Sequence, residues 1–296
     1  MKPAPFRYAR PESLADALDL LSAGGQDVKI LAGGQSLVPM LNLRLVRPAV
    51  LVDLNGLPGL DGIAPSPAGG LTIGALVRHA ALAEAPLVRE RSPLLAEAAR
   101  HVGHAAIRHR GTLGGSLAHA DPAAELPAAL VALEAEFVLH GPRGERMVSA
   151  SQFFLGLMTT ALTPEEILTE IRVPPQVPGW GFAEVARRTG DFAMAGVAAL
   201  LGRRSGPAGQ VGSARVVGFG VGDRPVRFTA AAAEILASPG PDPIATVARA
   251  AAAAAQACDP ADDVHASADY RRHLVAVLTG DALRQALGRL DGAGRS

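Results

Sequence analysis

Two short glycine-containing segments have residue types and spacing that could do chemistry. They are Ala32-Gly33-Gly34-Gln35-Ser36-Leu37 and Arg110-Gly111-Thr112-Leu113-Gly114-Gly115-Ser116-Leu117-Ala118. Small residues in series let backbone N–H groups converge on an anion without Cβ obstruction, and Ser and Thr add hydroxyl donors. Arg108 and Arg110 flank the second segment, where they would offset negative charge. Together the two segments could clamp a pyrophosphate. The Gly-Gly pair alone carries no information: 33 glycines in 296 residues yield about four such pairs by random placement, and four occur. Gly24-Gly25 and Gly69-Gly70 fall where a helix stop and a hairpin turn are expected. For the other two pairs an ordinary turn remains the competing reading, and only their pairing and setting favour an anion.

Other chemistries find less support. No Gly-x-Gly-x-x-Gly follows a strand and opens a helix, as a nicotinamide-type site would need. The nearest approach, Gly218-Phe219-Gly220-Val221-Gly222, runs into Asp223-Arg224-Pro225 and is expected to be a strand and turn. A Walker loop and a Gly-x-Ser-x-Gly elbow are both absent, so phosphoryl transfer and hydrolysis have no carrier. His101 and His104, with His109 and His119 nearby, raise a metal site, but no carboxylate stands beside them at a typical zinc spacing. Asp121 and Glu125 lie four apart at the start of an expected helix; they either cap it or reach a bound cofactor.

The elements that must position these residues follow from periodicity. Ser13 as N-cap and apolar Leu14, Ala17, Leu18 and Leu21 predict an amphipathic helix ending near Gly24-Gly25. Strands are expected at Val28 to Leu31, leading straight into Ala32, and at Val50 to Leu54, a βαβ-like opening. From Leu60 onward short strands alternate irregularly with helices: Leu71 to Gly74, Val77 to Ala85, Pro93 to His101, Ala123 to Leu133, a hairpin about Gly141 to Gly144, and Ile167 to Val173. Pro174 to Gly179 suits neither a helix nor a central strand and marks the expected domain boundary. Beyond it, strands near Phe182 to Arg187, Gly196 to Leu201 and Ala214 to Gly220 precede helices at Thr229 to Ala237, Ile244 to Ala257 and Ala268 to Leu287. The fold class expected is α+β, with residues 1–175 (parts 1–56 and 57–175) ahead of a smaller α+β domain at 176–296.

Composition narrows the class further. Lys plus Arg and Asp plus Glu each number 28, leaving no long-range field to hold nucleic acid or an anionic membrane. The single cysteine, Cys258, excludes an internal disulfide framework and an iron–sulfur site built within the chain. Met1 to Arg10 lacks the apolar core of a signal peptide, and the bland run Ala250 to Ala255 is far too short for a membrane span, so a cytoplasmic protein is expected.

Longer segments of the chain are more specific than spacing alone. Ala32-Gly33-Gly34-Gln35-Ser36-Leu37-Val38-Pro39-Met40, with Leu43-Arg44 and Val52-Asp53-Leu54, resembles the first flavin motif of the medium subunits of molybdenum hydroxylases, the carbon monoxide dehydrogenase and xanthine dehydrogenase family. Arg108 to Pro122 resembles their second motif. The likeness continues in order through Phe153 to Gly156, Thr163 to Leu168, Arg188 to Ala193 and Tyr270-Arg271-Arg272. It implies a vanillyl-alcohol-oxidase-like (PCMH-type) FAD-binding domain followed by a flavoprotein C-terminal domain. It also implies a large partner carrying the molybdenum cofactor, a small partner carrying two [2Fe-2S] clusters, assembly as a dimer of heterotrimers, and an external electron acceptor.

Carried over by position, Ala32, Gly33, Gly34, Gln35, Ser36 and Leu37, with Thr112, Leu113, Gly114, Gly115 and Ser116, would hold the FAD diphosphate and ribityl region, largely through backbone N–H groups. Glu125 matches an acidic position near the flavin and Leu162 an apolar contact. Two positions depart from the pattern: Phe182-Ala183-Glu184 stands where many members have Tyr-x-Lys, and Gly190 replaces an aromatic found in some members. The function so implied is electron relay through FAD. A free-standing FAD oxidoreductase and a scaffold whose flavin site has decayed are the alternatives.

Overall fold

The computed structural model describes residues 1–24, 27–203, 211–237 and 243–292. Gly25, one of the pair expected to stop the first helix, lies outside them.

The N-terminal layer contains β1 (Arg7–Ala9), α1 (Leu14–Gly24), β2 (Val28–Leu31), α2 (Leu37–Asn42) and β3 (Val50–Asp53). The strands form a parallel sheet in the order β1-β3-β2. Ser13 caps α1 as expected, its Oγ accepting from the Asp16 amide at 3.1 Å. Ala17 and Leu21 on the next turns are buried against Val28, Val52 and Leu54. In parallel strands the chain leaves the sheet at the carboxyl ends, so Ala32 and Leu54 emerge side by side, where ligands of parallel sheets bind.

A second layer follows: β4 (Ile63–Pro65), β5 (Leu71–Gly74), the helices α3 (His79–Glu84), α4 (Pro86–Arg91), α5 (Pro93–His101), α6 (Ala105–Arg108), α7 (Leu113–His119) and α8 (Glu125–Ala132), then β6 (Glu136–Gly141), β7 (Gly144–Ser149), α9 (Ala150–Phe153), β8 (Phe154–Gly156), β9 (Thr159–Thr160) and β10 (Ile167–Val173). Five of these strands pair antiparallel in the order β4-β5-β10-β6-β7. Gly69-Gly70 and Gly141 to Gly144 are hairpin connections, as expected. The helix expected over Val77 to Ala85 is shorter, because Val77 and Arg78 are held extended opposite Thr112 and Leu113.

The last layer is β11 (Gly179–Ala186), β12 (Ala193–Arg203), β13 (Val211–Phe219) and β14 (Val226–Arg227), then α10 (Thr229–Ala237), α11 (Pro243–Ala257) and α12 (Ala268–Gly292). The strands form one antiparallel sheet in sequence order. Gly218 to Gly220 ends β13 and turns, as its sequence suggested. Along β12 successive side chains point to opposite faces. Ala198 and Leu200 join the core around α5 and α8, whereas Ala195, Val197, Ala199 and Leu201 join the core under α10, α11 and α12. Both faces are covered, which explains the nearly unbroken apolar sequence of this strand.

Arg271 of α12 is the chief polar tie in this layer. It is 7% exposed, and its guanidinium donates to the Met194 carbonyl at 2.5 Å, the Gly220 carbonyl at 2.9 Å and Asp263 at 2.6 Å. Arg271→Met leaves the Met194 and Gly220 carbonyls without this donor, while Asp263, half exposed, keeps the His265 and Ala266 amides, so urea unfolding is expected to show a loss of about 1–3 kcal/mol. A change below ~0.5 kcal/mol would show that water replaces the guanidinium without cost. Among the described residues, no helix is long and apolar enough to cross a membrane.

Candidate FAD site

The first arm of the site begins where β2 ends. Ala32 to Ser36 leave the sheet in an irregular turn, with Gly34 at φ +75°, a backbone region that side chains rarely adopt. Leu37 then opens α2. Among the described residues, the amides of Ala32, Gly33, Gly34, Gln35 and Ser36 donate to no carbonyl and to no side chain. Successive uncommitted N–H groups in a turn with one left-handed residue are the ingredients of an anion-binding nest. Gly33, Gly34 and Gln35 of this turn line a cleft of about 370 Å³ together with Leu31, Val38, Pro39 and Arg110.

The second arm differs from the glycine loop that its sequence suggests. Gly114 and Gly115 lie in the first turn of a helix, α7, whose N-cap Thr112 accepts from the Gly115 amide at 3.1 Å. The other amides are also committed: Leu113 to the Val77 carbonyl (2.9 Å), Gly114 to that of Ala75 (2.8 Å) and Ser116 to that of Thr112 (3.0 Å). Of Thr112 to Ser116, only the Thr112 amide is without a partner among the described residues. The Gly114-Gly115 pair serves close packing, since a Cβ on Gly114 would stand 2.6 Å from the Ala75 Cβ. Leu113 and Gly114 are buried beneath the arm, while Gly115 and Ser116 reach its surface.

The two arms touch. A Cβ on Gly33 would stand 2.4 Å from the Arg110 carbonyl oxygen and 2.7 Å from the Gly111 Cα, and one on Gly115 would lie 3.8 Å from the Ala32 Cβ. Residues some eighty positions apart in the chain thus share one cradle.

Sequence reasoning missed the polar network that locks this cradle. Asn55, just past β3, donates from Nδ2 to the Ala32 carbonyl at 2.8 Å and to Asp53 at 2.5 Å. Arg78 donates to Asn55 Oδ1 at 2.6 Å and to the Arg110 carbonyl. Tyr8 of β1 donates to the other Asp53 oxygen at 2.5 Å. The available signal was the position of Asn55 at the carboxyl end of a parallel strand. Asn55→Ala frees the Ala32 carbonyl and removes one of the two partners of Arg78, leaving it the Arg110 carbonyl. It is expected to weaken FAD binding about tenfold with little change in unfolding temperature; equal affinity by fluorescence titration would remove Asn55 from the site.

A cluster of acids lies at the far end of α7. Glu125, the first residue of α8, is 5% exposed, and burial pushes its carboxyl up to about 8. It makes no capping bond; Asp121 caps the turn instead, accepting from the Ala123 amide at 2.9 Å. Glu184 of β11 pairs with His101 Nδ1 at 3.0 Å, and that bond raises the imidazole above its ordinary value. The His101 ring lies 4.9 Å from the ring of Phe182. His101 is thus turned to β11, whereas His104 backs Gly190, whose Cβ would stand 2.7 Å from the His104 ring. Leu162, just after β9, is half-buried against the core of this layer.

The description "FAD binding domain in molybdopterin dehydrogenase" matches residues 4–176. The chain belongs to this flavin-binding family, and FAD is its cofactor. A second description, "CO dehydrogenase flavoprotein C-terminal domain", matches residues 180–286. The chain is 40% identical to the 6-hydroxypseudooxynicotine dehydrogenase complex subunit alpha of Paenarthrobacter nicotinovorans, over 98% of this chain and 97% of that protein. It is 39% identical to the carbon monoxide dehydrogenase medium chain of Hydrogenophaga pseudoflava, over 98% and 99%. Among solved structures, carbon monoxide dehydrogenase from Hydrogenophaga pseudoflava superposes with a TM-score of 0.92 at 40% identity, covering 98% of this chain and 99% of that one. Quinoline 2-oxidoreductase from Pseudomonas putida 86 superposes with a TM-score of 0.91 at 37% identity, covering 98% and 100%. The expected family and α+β fold class are therefore correct, and the chain is the flavin subunit of a multi-subunit oxidoreductase.

Proposed function

We propose that the chain relays electrons from [2Fe-2S] clusters on a small partner subunit, through FAD, to an external acceptor, while a large partner subunit holds the molybdenum cofactor and the substrate. FAD suits this place because it accepts electrons one at a time and releases them singly or as a pair. The observation that carries the reading is the nest of uncommitted amides at Ala32 to Ser36, closed on one side by the second arm. We assign the diphosphate to those amides and Leu37, helped by Gly115 and Ser116 at the surface of the second arm, with the buried Thr112, Leu113 and Gly114 supporting them from beneath. Glu125 and Leu162 are assigned to the flavin end.

The protein's own residues bind and orient the cofactor. Cys258 is buried and its thiol donates to the Ala255 carbonyl at 3.3 Å, which leaves electron supply to a partner chain. The sheet β11-β12-β13-β14 and its helices we take as a separate C-terminal domain, 176–296, behind an FAD-binding domain of residues 1–175. The assembly proposed is a dimer of heterotrimers in the cytoplasm.

The test is direct. The purified, folded chain is expected to take up one FAD and turn yellow, and, with its partners, to show flavin reduction when substrate is added. A folded chain that stays colourless in excess FAD overturns the reading. Turnover of a small substrate by the isolated chain would point to the free-standing oxidoreductase.

A further inference from the structure

His79, the first residue of α3, belongs to neither glycine segment, yet it is built into the second arm. It is 4% exposed. Its amide donates to the Gly111 carbonyl at 3.1 Å, and its ring lies so close to Gly111 that a Cβ there would stand 2.7 Å from Nδ1 and Cε1. The ring Nε2 is 2.9 Å from the Thr112 carbonyl oxygen and 3.0 Å from Ser116 Oγ. A carbonyl oxygen can only accept, so Nε2 carries the hydrogen. Burial pushes the imidazole down to about 4, which keeps that tautomer neutral near pH 7.

Ser116 is constrained by that hydrogen. Its Oγ lies within reach of the same Nε2–H and accepts from it, so its own hydrogen must point elsewhere. Its amide is already committed to the Thr112 carbonyl. Among the described residues no acceptor takes the Ser116 hydroxyl hydrogen. Ser116 is half-buried on the surface of α7 one residue beyond Gly115, which borders Ala32 of the first arm.

We propose that His79 is the positioning residue of the second arm: by donating from Nε2 to the Thr112 carbonyl and the Ser116 hydroxyl together, it turns the Ser116 O–H outward as a donor to an anionic oxygen of the bound dinucleotide. The proposal rests on the FAD reading given above. It makes good, through a hydroxyl, the donors that α7 and its neighbours consume from this arm's backbone. It also accounts for glycine at 111, where any side chain would meet the imidazole.

Equilibrium titration with FAD, followed by quenching of flavin fluorescence, tests it on the full chain with the variants His79→Gln, His79→Asn, Ser116→Ala and the double variant His79→Asn/Ser116→Ala. A glutamine amide nitrogen can reach the Nε2 position, whereas the shorter asparagine cannot. His79→Asn and Ser116→Ala are each expected to weaken FAD binding about tenfold, His79→Gln to stay within about threefold of the wild type, and the double variant to be little worse than either single one. Additive losses, or wild-type affinity in either His79→Asn or Ser116→Ala, overturn the proposal. Unfolding temperatures of the apo variants separate loss of the fold from loss of the site. Should His79→Asn not fold, the pair His79→Gln and Ser116→Ala decides: a tenfold loss in the first, or none in the second, overturns it. A wild-type chain that takes up no FAD overturns the underlying reading as well, whereas normal wild-type uptake with unaffected variants overturns only the role of His79.

Discussion

Gly33→Ala is expected to cost on the order of a hundredfold in FAD affinity and to lower the unfolding temperature of the apo protein. The added methyl group would sit 2.4 Å from the Arg110 carbonyl oxygen and 2.7 Å from the Gly111 Cα. Both are backbone atoms, so no side chain can swing aside and the arms must part. Overpacking of this kind costs about 1–3 kcal/mol even where the surroundings adjust. Here the adjustment would move the Arg110 carbonyl, which anchors Arg78, which in turn holds Asn55 and through it Ala32. The nest is therefore disturbed from both sides, and about 3 kcal/mol of lost geometry corresponds to the hundredfold effect. FAD titration and a thermal melt check it. A variant that binds within threefold of the wild type would show that the arms are not locked together.

Glu125→Gln should change how stability depends on pH. The buried carboxyl of Glu125 titrates near 8 in the folded protein, against 4.5 ordinarily, with burial as the largest cause and the neighbouring Glu184 and Asp121 charges adding to it. Between pH 4.5 and 8 the folded state therefore holds a proton that the unfolded state has lost. Stability from this group is intact below about pH 4.5, declines as pH rises through the window, and stays low above about pH 8. A rise of this size corresponds to a ceiling of about 5 kcal/mol. Glutamine carries no charge at any of these values. The variant is expected to match the wild type at pH 5 and to exceed it by several kcal/mol at pH 9 in urea unfolding of the apo protein. Parallel stability curves for the two proteins across pH 5–9 would show that the carboxyl titrates normally.

Much of the fold was legible because its signals are local. Alternating or continuous apolar runs marked β5, β10 and the three long strands of the last sheet. Ser13, Pro93 and the Gly141 to Gly144 turn marked boundaries whose chemistry acts over a few residues. The short helices α2, α4, α6, α7 and α9 were not legible. Two adjacent glycines disfavour a helix on their own account. α7 forms because Thr112 caps it and because Val77 and Ala75 take its first amides, contacts supplied from more than thirty residues away. The same distance hid Asn55, Arg78 and His79, which look unremarkable in sequence and acquire roles only through partners on other elements.

The amino-acid sequence by itself determined the family and the flavin, through the likeness of its extended motifs to a known family, and most of the layered α+β elements, through residue types and short-range spacing. Tertiary structure alone decided how the two glycine segments divide their work. The first keeps its amides free because what packs against it, the backbone at Arg110 and Gly111, brings no acceptor into hydrogen-bonding position for them. The second spends almost all of its amides on a helix and on neighbouring strands and turns, leaving it mainly side-chain donors to offer. Hydrogen-bond capacity is finite, and whether an amide remains for a ligand depends on what the rest of the chain brings to it.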